Sequence, residues 1–184
     1  RAVPVQFRTM SSMQVSSTIV GAVLLFWIVG AYNRLVGLRN AIVERFAPVD
    51  RQLVERHGLL GQQIDAIGAV LAHASERLDA LRAATLQVET ARLHARTHPG
   101  APGAIKSLRL ADAILAEARA RLPVQAVGGV DFSELSARLA ASDSALAYAQ
   151  RQFNAAVQDY NAAVRQIPTR VVAGIFGFAS AGTL

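Results

Sequence analysis

VSSTIVGAVLLFWIVGAY, residues 15–32, carries no charged side chain, and the uncharged run around it extends from Thr9 to Asn33 between Arg8 and Arg34. A helix rises about 1.5 Å per residue, so the quoted core reaches roughly 27 Å, close to the hydrocarbon thickness of a bilayer. Trp27 and Tyr32 fall toward its far end, where amphipathic rings favour the membrane–water boundary. A cleaved signal peptide needs a basic flank before the apolar run and small residues at a cleavage site after it. Here AYNRLVGL leads from the run straight into a helical pattern. We therefore expect a membrane-spanning helix over 15–32, with Val15, Ile19, Leu24, Trp27 and Tyr32 in contact with lipid or its boundary.

Downstream, apolar residues recur at steps of three and four. The stripe is Leu35, Leu38, Ile42, Phe46, Val49, Leu53, His57, Leu60, Ile64, Ile67, Leu71, Ala74, Leu78 and Leu81. That period lays one face of a helix on a partner. Pro48 removes an amide donor and Gly58, Gly61 and Gly68 weaken helix locally, so the pattern predicts one long helix bent near Pro48 and Gly58–Gly61. The cluster THPGAPG at 97–103 is the clearest turn. A second helix is expected over 104–122, an interruption over 123–131, and a last helix over about 132–166, capped by Asp131 or Ser133. The stripe of that last helix is Leu135, Leu139, Ser142, Leu146, Ala149, Phe153, Val157, Tyr160, Val164 and Ile167, a coiled-coil-like heptad with one four-residue stutter. Pro168 ends it.

The expected organisation is all-α. A short tail (1–14) precedes the transmembrane helix (15–32), which continues into an elongated antiparallel helical bundle (33–168) and an apolar C-terminal segment (169–184). VVAGIFGF at 171–178 is too short to span. Val171, Val172, Ile175, Phe176 and Phe178 are thus candidates for contact with a membrane surface or another copy. Two packings fit. In one, about 64 residues run outward and the two later helices both return, bringing 171–178 to the bilayer; in the other, three helices zigzag and the segment ends far away. Equal lengths favour the first.

Composition narrows function. The chain has no cysteine, which excludes disulfides, thiolate metal sites and cysteine nucleophiles. Its net charge is +6, and all but one of the basic residues are Arg, interleaved with acids along helical patterns. Without a dense basic cluster or a set of aromatics for base stacking, nucleic acid is not an expected partner; most of the arginines read as solvated helix faces. Close to the span, Arg34, Arg39, Arg45, Arg51 and Arg56 follow it while Arg1 and Arg8 precede it, which places the bulk of the protein in the cytoplasm. His94 and His98 stand four apart but have no third ligand at useful spacing, and His57 reads as an interior or boundary histidine. No zinc-protease, serine-hydrolase or phosphate-loop motif is present. No cofactor, metal or enzymatic activity is expected. Phe153-Asn154 and Tyr160-Asn161 repeat an aromatic–Asn pair two turns apart; the rings read as core, and the amides as groups that fix register across the bundle.

Two stretches together resemble the LemA family of bacterial membrane-anchored proteins. One is YNRLVGLRNAIVERFAPVDRQLVERHGLL (32–60), behind the apolar run; the other, more specific, is FNAAVQDYNAAVRQIPTRVVAGIFGF (153–178). The chain departs from the family pattern at Gly61, where Pro is usual, at Phe153, which replaces a Tyr, and at Gln150, where Arg is usual. The middle, 83–122, matches only as generic helix. The resemblance implies a bundle behind one helix of the bacterial cytoplasmic membrane, with the small amino end outside the cytoplasm. It brings no enzyme mechanism; a related branch of the family is linked to building magnetosome membranes. The expected function is a membrane-anchored scaffold, self-assembling and organising or shaping the membrane. The alternative is a tethered adaptor that recruits a soluble partner, which the sequence does not name.

Overall fold

The computed structural model describes residues 12–70, 75–121, 132–167 and 169–184, so the expected interruption at 123–131 and Pro168 lie outside it. Five helices follow in order: α1 (Ser12–Val70), α2 (Ser75–Thr97), α3 (Pro102–Ala120), α4 (Ser133–Arg165) and α5 (Thr169–Phe176). The described fold is all-helical, and α1 packs most extensively on α4 and α2 on α3.

α1 contains the apolar run and the first stripe as far as Ile67; Leu71 and Ala74 lie outside the described residues, and Leu78 and Leu81 belong to α2. α1 continues through Pro48, which is exposed, as is Glu44 one turn earlier. The Glu44 carbonyl that loses its amide donor therefore faces water, which limits the cost of the proline. Leu35, Ile42, Phe46, Val49, Leu53, Leu60, Ile64 and Ile67 are buried as expected. The stripe passes through His57, but the packed position is Arg56, and His57 is half-buried at the edge.

The expectation of a single helix reaching past residue 90 is not met. α1 ends at Val70, and α2 lies antiparallel along it: Leu78 and Arg82 pass close to Gly68, and Arg92 pairs with Asp50. Apolar steps of three and four continue through Leu78 and Leu81, so the period gives no sign of the reversal. α3 then runs parallel to α1, with Gly100 beside Ile42 and Asp112 paired to Arg56. α4 returns along α1, its Phe153 ring meeting Phe46 edge-on at a centroid distance of 5.7 Å. Such a pair adds about 1 kcal/mol beyond burial of the rings. The bundle is thus an up-down-up-down array of four helices. Neither packing weighed from the sequence is correct. There is one more reversal than expected, yet the C-terminal segment still arrives at the apolar end of α1.

Local chemistry sets the helix starts. Pro102 occupies the first turn of α3, where its missing N–H would be unpaired anyway. The N-cap position of α4 is Phe132, which makes no side-chain cap; of the two expected caps, Ser133 is already helical and Asp131 lies outside the described residues. Phe132 is buried, so packing of its ring fixes the start. Ile167 lies beyond the end of α4 and is exposed, whereas Ala163 is buried in the last turn of the stripe.

Candidate functional site

The expected apolar segment at 171–178 folds as a short helix followed by a turn. α5 buries Val172 and Ala173 against the bundle and leaves Val171, Ile175 and Phe176 exposed, together with Ile167 just before it. It ends in a Schellman cap, in which Phe178 N–H donates to the Ala173 carbonyl at 2.9 Å across Gly177, whose φ is +70°. The Phe176 and Phe178 rings close on Tyr32, at centroid distances of 5.0 and 5.7 Å. Ile28 and Ala31 of α1 pack on the same core. The exposed face of α5 is therefore level with the last turn of the uncharged run. Above that turn, Ile19, Leu24 and their neighbours are exposed, and Trp27 and Tyr32 are each more than one-third exposed; Val15 belongs to the first turn of α1. The candidate set thus divides: Val172 faces inward, Phe178 is half-buried, and Val171, Ile175 and Phe176 face outward.

Beyond Gly177 the chain runs, without regular secondary structure, back along α4 as a strap, residues 178–184. Asn161 donates from Nδ2 to the Ala181 carbonyl at 2.9 Å, and its Oδ1 accepts from Ala181 N–H at 2.8 Å. Asn154 repeats the exchange with Leu184, both bonds at 2.9 Å. Tyr160 donates its hydroxyl to the Ala179 carbonyl at 2.9 Å. Burial pushes the Tyr160 phenol above its ordinary range, so the donor stays protonated at neutral pH. The spacing explains the match. Seven helical residues advance roughly 10.5 Å, and three extended residues, from Ala181 to Leu184, advance about 10 Å. Phe153 and Tyr160 are core residues as expected, while the two asparagines serve the strap and not a neighbouring helix.

Two ion-pair clusters escaped the sequence reading, which had placed most arginines on solvated faces. Arg56, buried on α1, pairs with Asp112 of α3 and approaches Asp143 of α4 at 3.6 Å. Arg119 grips Asp143 through both guanidinium nitrogens, at 3.1 and 2.9 Å. Arg92, buried on α2, holds Glu89 at 2.8 and 2.6 Å and pairs with Asp50 of α1. The Arg92 hydrogen bonds lower the Glu89 pKa against the opposing effect of burial, and the same bonds raise that of Arg92. Each cluster matches arginines with carboxylates, as buried charges require. The signal was present: Arg56 and Arg92 both fall at stripe spacing.

Among the described residues no group of three His, Asp or Glu side chains comes together as a metal site would require. His94 and His98 are exposed and lie with ring centroids 5.5 Å apart.

These features define a class: an up-down-up-down helical bundle whose first helix is, by length and composition, long and apolar enough to cross a membrane once. The LemA family model matches residues 45–184, more than half of the chain, and the chain belongs to the LemA family. The match includes the whole of α2 to α5 and the strap. No curated protein matches the chain.

Proposed function

We propose that this protein is a non-catalytic membrane scaffold. In this reading 15–32 spans the bacterial cytoplasmic membrane once, the bundle stands in the cytoplasm, and several copies assemble to organise or shape the bilayer. The observation that carries it is the apolar outer face of α5, Val171, Ile175 and Phe176, set beside Tyr32 at the end of the uncharged run. An amphipathic helix at that level rests its apolar face in the lipid boundary while the neighbouring span holds it there. Leu86, Leu93 and Leu110, exposed on α2 and α3, provide apolar surface for contact between copies.

The absence of native cysteine makes the test direct. Single cysteines at Val171, Ile175 and Arg151 are reacted with a membrane-impermeant maleimide, in intact cells and in opened vesicles. Positions 171 and 175 are expected to stay protected in both, and 151 to react only when the cytoplasmic face is open. Free labelling at 175 would remove the membrane contact. Crosslinking in cells then separates scaffold from adaptor, since a ladder of self-adducts supports the former and one dominant foreign adduct the latter. The adaptor reading draws on a groove of about 430 Å³ between α2 and α3, with Ile114 in its lining.

A further inference from the structure

At the corner where α4 gives way to α5, a groove of about 540 Å³ is lined by Val164, Arg165, Arg170, Ala173, Gly174 and Phe178. Its lining combines two chemistries. Arg165 and Arg170 are exposed, and neither forms an ion pair among the described residues. The remaining lining is apolar, and Phe178 leans on Tyr32 at the end of the uncharged run. Gly174 keeps the groove wall low, because a Cβ there meets nothing within 4 Å and would project into open space.

We propose that this groove binds the phosphate headgroup of an anionic phospholipid. The proposal rests on the placement of α5 at the bilayer surface. A phospholipid joins a phosphate to a glycerol and acyl chains. Arg165 and Arg170 offer planar, multi-donor partners for the phosphate oxygens. Val164, Ala173 and Phe178 offer apolar contact for the glycerol and first methylenes. Headgroup phosphates lie at the depth where a span leaves hydrocarbon, and Phe178 of the groove lining meets Tyr32 at the end of the uncharged run. A free phosphate ion would use the same guanidinium groups but gain nothing from the apolar wall.

The test uses the full chain in nanodiscs of phosphatidylcholine with a minority of phosphatidylglycerol, and counts lipids retained on the protein by native mass spectrometry. Wild type should retain phosphatidylglycerol selectively. Arg165→Gln with Arg170→Gln should reduce that retention about 30-fold, from about fivefold per basic residue near an anionic surface. Gly174→Leu, which fills the groove without altering charge and suits a helix, should reduce it as well. Undiminished retention in either variant overturns the proposal. Loss of the bound lipid on adding excess inorganic phosphate assigns the site to free phosphate and overturns the lipid assignment. Quenching of an Ile175→Trp reporter by brominated acyl chains, measured in the same discs against a Trp27→Phe background, tests the underlying placement. Quenching without selective retention rejects the lipid site alone, and absence of quenching rejects the membrane placement with it.

Discussion

Asn161→Ala removes one rung of the clamp that holds the C-terminal strap. It deletes both the donor to the Ala181 carbonyl and the acceptor for Ala181 N–H. Each bond contributes about 1 kcal/mol net. The strap around Ala181 is half-buried, so water recovers part of what is lost. Up to about 2 kcal/mol is therefore expected in the free energy of strap opening, a factor of up to about 30 in its equilibrium constant. Global stability should fall less, because a segment held along its backbone can open without the bundle. Amide hydrogen exchange at Ala181 and Leu184 reads the local effect, and thermal unfolding the global one. Asn161→Asp is the decisive control. It retains an acceptor for Ala181 N–H but sets a carboxylate oxygen against the Ala181 carbonyl, so it should open the strap at least as much as Ala does. If the Ala181 amide keeps its wild-type protection in Asn161→Ala while the melting temperature drops, the asparagine acts through packing and the clamp is wrong.

Further outcomes follow from the same geometry. Arg56→Met strands Asp112 beside a buried apolar surface and should destabilise the bundle by about 2–3 kcal/mol, at the low end for a broken buried pair because Arg119 still neutralises Asp143. Adding Asp112→Leu to Arg56→Met should recover most of that loss in chemical denaturation. Glu89 has a folded pKa below its ordinary value near 4.5, so the unfolded chain binds its proton more readily than the native state does. Its contribution is complete above about pH 4.5 and is lost as pH falls through the lower folded value; Glu89→Gln should therefore be less stable at neutral pH and show a shallower acid limb. Gly177→Val forces a β-branched residue to φ +70° and should cost about 1–2 kcal/mol, seen as faster amide exchange at Phe178.

How far the sequence could be read depended on the range of the interaction concerned. The stripes of α1 and α4 were legible because apolar residues at three and four steps report a buried face within one helix: Ile42 to Leu53 and Leu139 to Tyr160 are buried where the period put them, and Leu38 is half-buried. The reversal after Val70 was not, because the sequence there has no proline and only Gly68 as a weak breaker, while the period passes through unchanged. Periodicity also carries an assumption that polar means outward, and Arg56 and Arg92 violate it: each lies three or four residues from buried apolar neighbours, and each pairs with an acid of another helix, Asp112 for Arg56 and Asp50 for Arg92, a partnership that one helix cannot announce. The strap was the least legible part. Ala179, Ser180, Ala181 and Gly182 show no alternation, and the contacts that order them come from backbone groups, which every sequence carries. What the sequence did contain was the receptor for those groups, two amides one heptad apart at Asn154 and Asn161. A bundle helix that spends amides at a two-turn repeat, half-buried beside its own core stripe, has the spacing to hold extended chain, since two helical turns and three extended residues cover the same distance. That coincidence of lengths is independent of the side chains in the strap. It makes the clamp a reader of backbone, and it explains why small residues with nothing of their own to bury are nonetheless fixed against the bundle.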